Sequence, residues 1–275
     1  MIMNKAEAEK AYLATPEIAN IGALRTNLLR LLRSIDLVGW STHEESGRLD
    51  RRALTRFASG SANIFSRRQM VEAEKSAVSV LVDLSSSMGD SEAEGPRRIE
   101  VTQDVTIQLS RLLDRAKVDF SVTGFYRNQV DRVLSAKTHS GEIVYSDSES
   151  CVFVPFKKWN ESLVKCLAKL GCIVPFCRGA TPAYSAIEQS LRDLARQDTH
   201  RKILFILTDA EQFEPAQIRH LDGLAENLGI LMIAIGIKTT WTGVFKHNVS
   251  VQDLNGLGEQ AFSKLLQTVG KKHGS

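Results

Sequence analysis

Val78-Ser79-Val80-Leu81-Val82-Asp83-Leu84-Ser85-Ser86-Ser87 decides the fold. The first five residues have the composition of a buried strand, and the run closes on a carboxylate and hydroxyls spaced Asp-x-Ser-x-Ser. A strand that delivers small oxygen ligands to a tight turn, at the carboxyl edge of a sheet, makes a seat for a hard divalent cation. Two later segments offer the parts such a seat still lacks. Gly179-Ala180-Thr181-Pro182 carries a third hydroxyl, and the apolar run Ile203-Leu204-Phe205-Ile206-Leu207-Thr208 ends on a second carboxylate, Asp209.

Working outward from this stretch, short apolar runs alternate with helical patterns from about Ser76 onward. That alternation predicts an α/β fold: a doubly wound, Rossmann-like, mainly parallel sheet with helices on both faces. Strands are expected at 78–83, 118–125, 152–154, 203–207, 230–235 and 249–251, and helices at 97–115, 158–170, 183–196, 215–228 and 256–270. The stretch from Asp131 to Gly179 is too long for a simple connection and reads as an insertion. Residues 1–75 form an arginine-rich helical extension, and 76–275 the main domain. Leu24, Leu28, Leu31, Leu32 and Ile35 mark one face of an amphipathic helix stopped near Gly39; Gly47 to Arg56 reads as a second, shorter helix, and Ser59-Gly60-Ser61 as a loop.

With 43% hydrophobic residues in 275, the chain has ample core material. No apolar run approaches the roughly 18 to 20 residues of a membrane span, and Met1 to Lys10 is too charged for a signal peptide, so a cytoplasmic protein without a membrane partner is expected. Cys151, Cys166, Cys172 and Cys177 show no C-x-x-C pair and no nearby paired histidines; buried reduced thiols are expected rather than a zinc site.

At the carboxyl edge, Ser85, Ser87 and Thr181 would bind the ion directly, while Asp83 and Asp209 would act mostly through bound water. Mg²⁺ is the expected ion, with Mn²⁺ or Ca²⁺ as alternatives. Three neutral hydroxyls neutralise such an ion poorly, so it stays electrophilic and can take an acidic side chain of a partner. The set contains no nucleophile or base poised for catalysis. A phosphoaspartate enzyme would want a second acid where Ser85 stands, and neither a G-x-S-x-G elbow nor a glycine-rich phosphate loop accompanies the first strand.

The three segments together resemble the von Willebrand factor A (vWA) domain with its metal-ion-dependent adhesion site. Within that group the chain is similar to the carboxy-terminal domain of the CobT subunit of aerobic cobaltochelatase. The likeness runs through Gly47-Arg48-Leu49-Asp50-Arg51-Arg52-Ala53-Leu54-Thr55-Arg56, Asn63-Ile64-Phe65, Thr123-Gly124-Phe125, Arg201-Lys202-Ile203-Leu204, Ala234-Ile235-Gly236-Ile237 and Val249-Ser250-Val251. It implies an adaptor or substrate-engaging partner of an AAA+ ATPase, of chelatase or MoxR type, not catalytic alone. A chelatase large subunit and a place in cobalamin biosynthesis are the alternative that it implies. Two positions depart from the pattern: Ser86 stands for the usual glycine of the first turn, and Ala210 for the glycine that often follows the second aspartate.

Other signals are weaker. Nine arginines and four acids lie between Arg25 and Arg68, which leaves nucleic-acid binding open beside helix solvation or docking to a partner. Asp90, Glu92 and Glu94 form an acidic loop near the expected metal, and Glu211 follows Asp209. Trp159, Trp241 and Phe245 fit either a core or a docking surface, and the six histidines do not cluster.

Overall fold

The computed structural model describes residues 3–17, 76–90, 95–127, 151–209, 213–239 and 244–253, with helical positions at Gly22, Thr26, Leu28 and Leu29 and strand backbone at 40–44, 48–49 and 65–68. Helix α1 (Lys5–Ala14) comes first, followed by β1 (Trp40–Glu44), β2 (Arg48–Leu49) and β3 (Phe65–Arg68). Then come β4 (Ser76–Asp83), α2 (Arg98–Arg115), β5 (Asp119–Arg127), β6 (Cys151–Lys157), α3 (Leu163–Leu170), α4 (Ala183–Ala195), β7 (Arg201–Thr208), α5 (Pro215–Asn227), β8 (Ile230–Ile237) and β9 (Asn248–Val251).

Six of these strands form one sheet in the order β6-β5-β4-β7-β8-β9, parallel throughout except for β6, which pairs antiparallel with β5 at the edge. The order radiates from β4: β5 lies on one side, and β7, β8 and β9 continue on the other. That is the doubly wound arrangement, with its topological switch point at the carboxyl end of β4. Strand β4 is buried on both faces from Ala77 to Asp83, which is why its sequence reads as a continuous apolar run. Val78, Val80 and Val82 pack with Val105, Leu109 and Leu113 of α2 and Cys166 and Leu170 of α3, whereas Ala77 and Leu81 pack with Ile187 and Leu191 of α4 and Ile218 and Leu221 of α5. Helices therefore cover both faces, as the sequence predicts.

Two helices carry their start signals locally. At α1, Asn4 accepts from the Glu7 amide (2.9 Å) while Glu7 accepts from the Asn4 amide (3.1 Å). At α2, Glu100 closes back on the Arg97 amide at 2.9 Å. A helix at 5–14 was not among the expected elements, although the Asn4-x-x-Glu7 spacing announces it. Its attachment is tertiary: Arg111 of α2 donates to the carbonyls of Tyr12 (2.8 Å) and Thr15 (3.0 Å), Thr15 donates to Asp104 (2.8 Å), and Gln108 donates to the Pro16 carbonyl.

The expected second helix at 47–56 is corrected at its start. Arg48 and Leu49 lie level with Ser66 and Phe65 in an antiparallel ladder, because a neighbouring strand supplies hydrogen bonds that a helical pattern over ten residues does not reveal. The remainder of that expected helix, from Asp50 to Arg56, lies outside the described residues, as do most of the expected helix at 24–35 and all of that at 256–270. Within the 24–35 segment, Leu28 is helical and fully buried in the main core. The expected helix at 158–170 begins only at Leu163, because Glu161 turns back onto the Lys158 amide at 2.9 Å. Part of the expected insertion is regular: β6 extends to seven residues and α3 follows it. Among the described residues no helix is long and apolar enough to cross a membrane.

Candidate metal centre

Sheet register brings the two carboxylates to one edge. Val82 is level with Leu207, so Asp83 and the Thr208-Asp209 pair leave neighbouring strands together. Asp83 is fully buried and Asp209 is 2% exposed. Both oxygens of Asp83 are engaged: Oδ1 accepts from the Ser85 amide at 2.9 Å, and Oδ2 accepts from the Thr208 hydroxyl at 2.7 Å. Beyond it the chain enters a short 3₁₀ turn, Ser86–Gly89, which sets the Ser85 and Ser87 hydroxyls 3.1 Å apart. Asp209 Oδ2 lies 3.4 Å from a guanidinium nitrogen of Arg98, at the start of α2.

The segment Cys177–Ala180 clamps this turn from the side. The Arg178 amide donates to the Leu84 carbonyl (2.7 Å), the Ser86 amide and hydroxyl both donate to the Gly179 carbonyl (3.0 and 2.7 Å), and the Cys177 thiol donates to the Ser85 carbonyl (3.0 Å). On its other side Ala180 exchanges two backbone hydrogen bonds with Arg127 at the end of β5. Gly179 holds φ at +75°, and a Cβ there would run into the Arg127 carbonyl, so this crossing is open to glycine alone. Thr181 follows at once, half-buried, on a loop fixed to the serine turn. Ser86, by contrast, needs no glycine: positive φ outside glycine is confined, among the described residues, to Lys117 and Lys238.

Burial is the main reason that Asp83 is pushed up to about 6, with the nearby Asp209 charge second, against the hydrogen bonds from Ser85 and Thr208. Burial also pushes the Cys177 thiol up to about 11, with Asp83 adding to it. Two carboxylates sharing a water-poor edge with adjacent hydroxyls form an all-oxygen, negatively charged donor set. Such a set suits a hard divalent cation, which would offset the repulsion between the carboxylates. The set fits.

Sequence reasoning missed four residues of this arrangement: Thr208, Arg98, Cys177 and the clamping role of Ser86. Thr208, one place before Asp209, and Ser86, between Ser85 and Ser87, stand inside the quoted runs and so could have been found; Arg98 and Cys177 reach the site only through tertiary structure. Phe245 is buried and Trp159 half-buried against the core under α4 and α5, which favours packing over docking for both. Asp90 is exposed at the end of the serine turn, and Glu92, Glu94, Ala210, Glu211 and Trp241 lie outside the described residues. The four cysteines are free thiols, and among the described residues no three His, Cys, Asp or Glu side chains converge as a metal cluster.

Fold and strand order place the chain in the doubly wound, Rossmann-like α/β class. No family model matches it. No curated protein matches it either. Among solved structures, the chain is similar to the pilus adhesin SpaC of Lactobacillus rhamnosus GG at 12% identity, covering 73% of this chain and 31% of that one, with a TM-score of 0.47. The conserved hypothetical protein BatB of Bacteroides thetaiotaomicron matches at 16% identity over 73% of this chain and all of its own, with a TM-score of 0.44. Proximal thread matrix protein 1 of the mussel byssus, with a zinc-occupied MIDAS motif, matches at 16% over 74% of this chain and 47% of its own, with a TM-score of 0.45. The chain thus spans less than half of the adhesin and of the byssus protein. Likenesses this distant carry neither ligand nor partner across.

Proposed function

We propose that the chain is a protein-binding domain whose partner contact is completed by a divalent cation, Mg²⁺ in the first instance, seated at the carboxyl end of β4 and β7. The observation that carries this reading is the convergence of Asp83, the Ser85–Ser87 turn and Asp209 at the switch point of the sheet. Ser85, Ser87 and Thr181 would hold the ion, with Asp83 and Asp209 supplying its counter-charge. When bound, the ion offers an electrophilic position for a carboxylate. Asp83 itself is committed to Ser85 and Thr208, so it orients the turn instead of serving as a nucleophile. The CobT-like stretches support a finer version, in which the partner is an AAA+ ATPase of chelatase or MoxR type and the chain is its adaptor or substrate-engaging subunit.

The test is a pull-down from the native host with tagged wild type and Asp209→Ala, each in Mg²⁺ and in EDTA, with mass-spectrometric identification. An ATPase retained only by wild type in Mg²⁺ is the expected result, and a chelatase large subunit beside it would favour the cobaltochelatase version. The same proteins in every lane would remove the metal site from docking.

A further inference from the structure

We infer that Arg98 sets the divalent-cation affinity of this site by holding a fixed positive charge against Asp209; the inference rests on the metal-binding reading proposed above. Arg98 opens α2, and its position is rigid. Its carbonyl accepts from the Thr102 hydroxyl at 2.8 Å, and the next residue, Ile99, is fully buried in the core. The neighbouring arginine does something different. Arg97 folds back on Glu100 through Nε (3.0 Å) and Nη2 (2.8 Å) and closes the first turn of its own helix. Arg98 instead crosses to the end of β7, where Nη1 stands 3.4 Å from Asp209 Oδ2. The Arg98 side chain is 21% exposed and that of Asp209 is 2% exposed, so the pair sits where water screens it incompletely.

The consequence is electrostatic. Asp83 and Asp209 bring two negative charges to this edge, and Arg98 returns one positive charge to within contact of the second. A divalent cation arriving here is attracted by both carboxylates and repelled by the guanidinium, and the N-terminal end of α2 adds to the repulsion. Weak intrinsic affinity follows, and with it an ion left electrophilic enough that an incoming carboxylate adds appreciably to the total binding. Arg98 is a positioning residue in this account; it does not ligate the ion.

Calorimetric titration of the full chain with MgCl₂ and with MnCl₂ tests the inference on wild type, Arg98→Gln, Arg98→Met and Arg98→Lys. Losing the charge in Arg98→Gln and Arg98→Met is expected to tighten both ions about ten-fold, while Arg98→Lys, which keeps the charge, stays within about three-fold of wild type. Thermal unfolding in EDTA gives an independent sign: Asp209 is left with less compensation in the Gln and Met variants, so they melt below wild type although they bind metal more tightly. A merely structural role would lower both quantities together. Unchanged or weaker binding in a folded Gln or Met variant would overturn the role of Arg98 while leaving the site intact. The absence of any titration heat in wild type that Asp83→Asn and Asp209→Asn remove would overturn the metal reading, and this inference with it.

Discussion

Asp83 carries the sharpest prediction at the scale of single residues. Its folded-state pKa, raised to about 6 from 3.8 chiefly by burial and secondly by Asp209, means that the folded protein holds the proton more tightly than the unfolded chain does. The stability linked to the neutral form is complete below 3.8 and is lost as pH rises through about 6, a cost of about 3 kcal/mol once the group is fully ionised. A cation, in contrast, needs the carboxylate. Ionisation of about one molecule in ten at pH 5 weakens the apparent affinity about ten-fold, so the difference in melting temperature between Mg²⁺ and EDTA is expected to fall to about half at pH 5 and to reach its full size by about pH 7.5. Asp83→Asn should abolish the difference at every pH, because the amide still accepts from the Ser85 amide but no longer offers a charge. A melting difference of equal size at both pH values would show that Asp83 does not take part. Ser86 gives a second, smaller test: Ser86→Ala removes one 2.7 Å hydrogen bond from the clamp on Gly179 and, being exposed, should cost no more than about 1 kcal/mol in chemical denaturation.

Among the elements, α1 shows how a segment far from the sheet in sequence is tied to the helices that cover it. Arg111 donates to two carbonyls at the end of α1, and its guanidinium lies over the Tyr12 ring at 4.7 Å. Arg111→Ala is expected to destabilise the protein by about 1 to 3 kcal/mol, and hydrogen exchange should locate the loss in residues 4–17, with the amides of β4 and β7 unaffected. Gly171 closes α3 where the backbone of Ala8 and Tyr12 passes, and a Cβ there would meet both, so Gly171→Ala should release the same helix. This attachment explains why α1 was illegible beyond its capping pair. Its apolar content is slight, and what fixes it are arginine and glutamine side chains about a hundred residues away. The sheet was the reverse case: β4, β7 and β8 are buried on both faces, so their apolar runs alone mark length and position. Strand β6 falls between the two. It is an antiparallel edge strand with a register shift beside Thr123 and partial exposure, which blurs its pattern to the three residues that the sequence suggested.

For the whole molecule, the doubly wound order brings three separated sequence segments to one edge of the sheet, and on the proposed reading of that edge the stability of the fold should depend on a divalent cation. The meeting of Asp83 and Asp209 at one sheet edge was legible because each ends a recognisable apolar run, whereas the Arg98 contact spans 111 residues and has no local signature. A ligand that binds the folded state alone adds RT ln(1 + [L]/Kd), about 3 kcal/mol at a hundred-fold excess over Kd. For a domain of this size, each kcal/mol moves the midpoint by about 2 to 4 °C, so saturating Mg²⁺ is expected to raise the melting temperature by about 5 to 10 °C at about pH 7.5. The rise should track cation concentration logarithmically and vanish in Asp209→Ala, each variant being compared with its own metal-free melting temperature. Ionic strength separates this from general screening, since an equivalent concentration of NaCl should reproduce little of the shift. If NaCl matched MgCl₂ at equal ionic strength, the stabilisation would belong to diffuse surface charge, and the convergence of Asp83, Ser85, Ser87 and Asp209 would be an internal hydrogen-bonding arrangement of the fold.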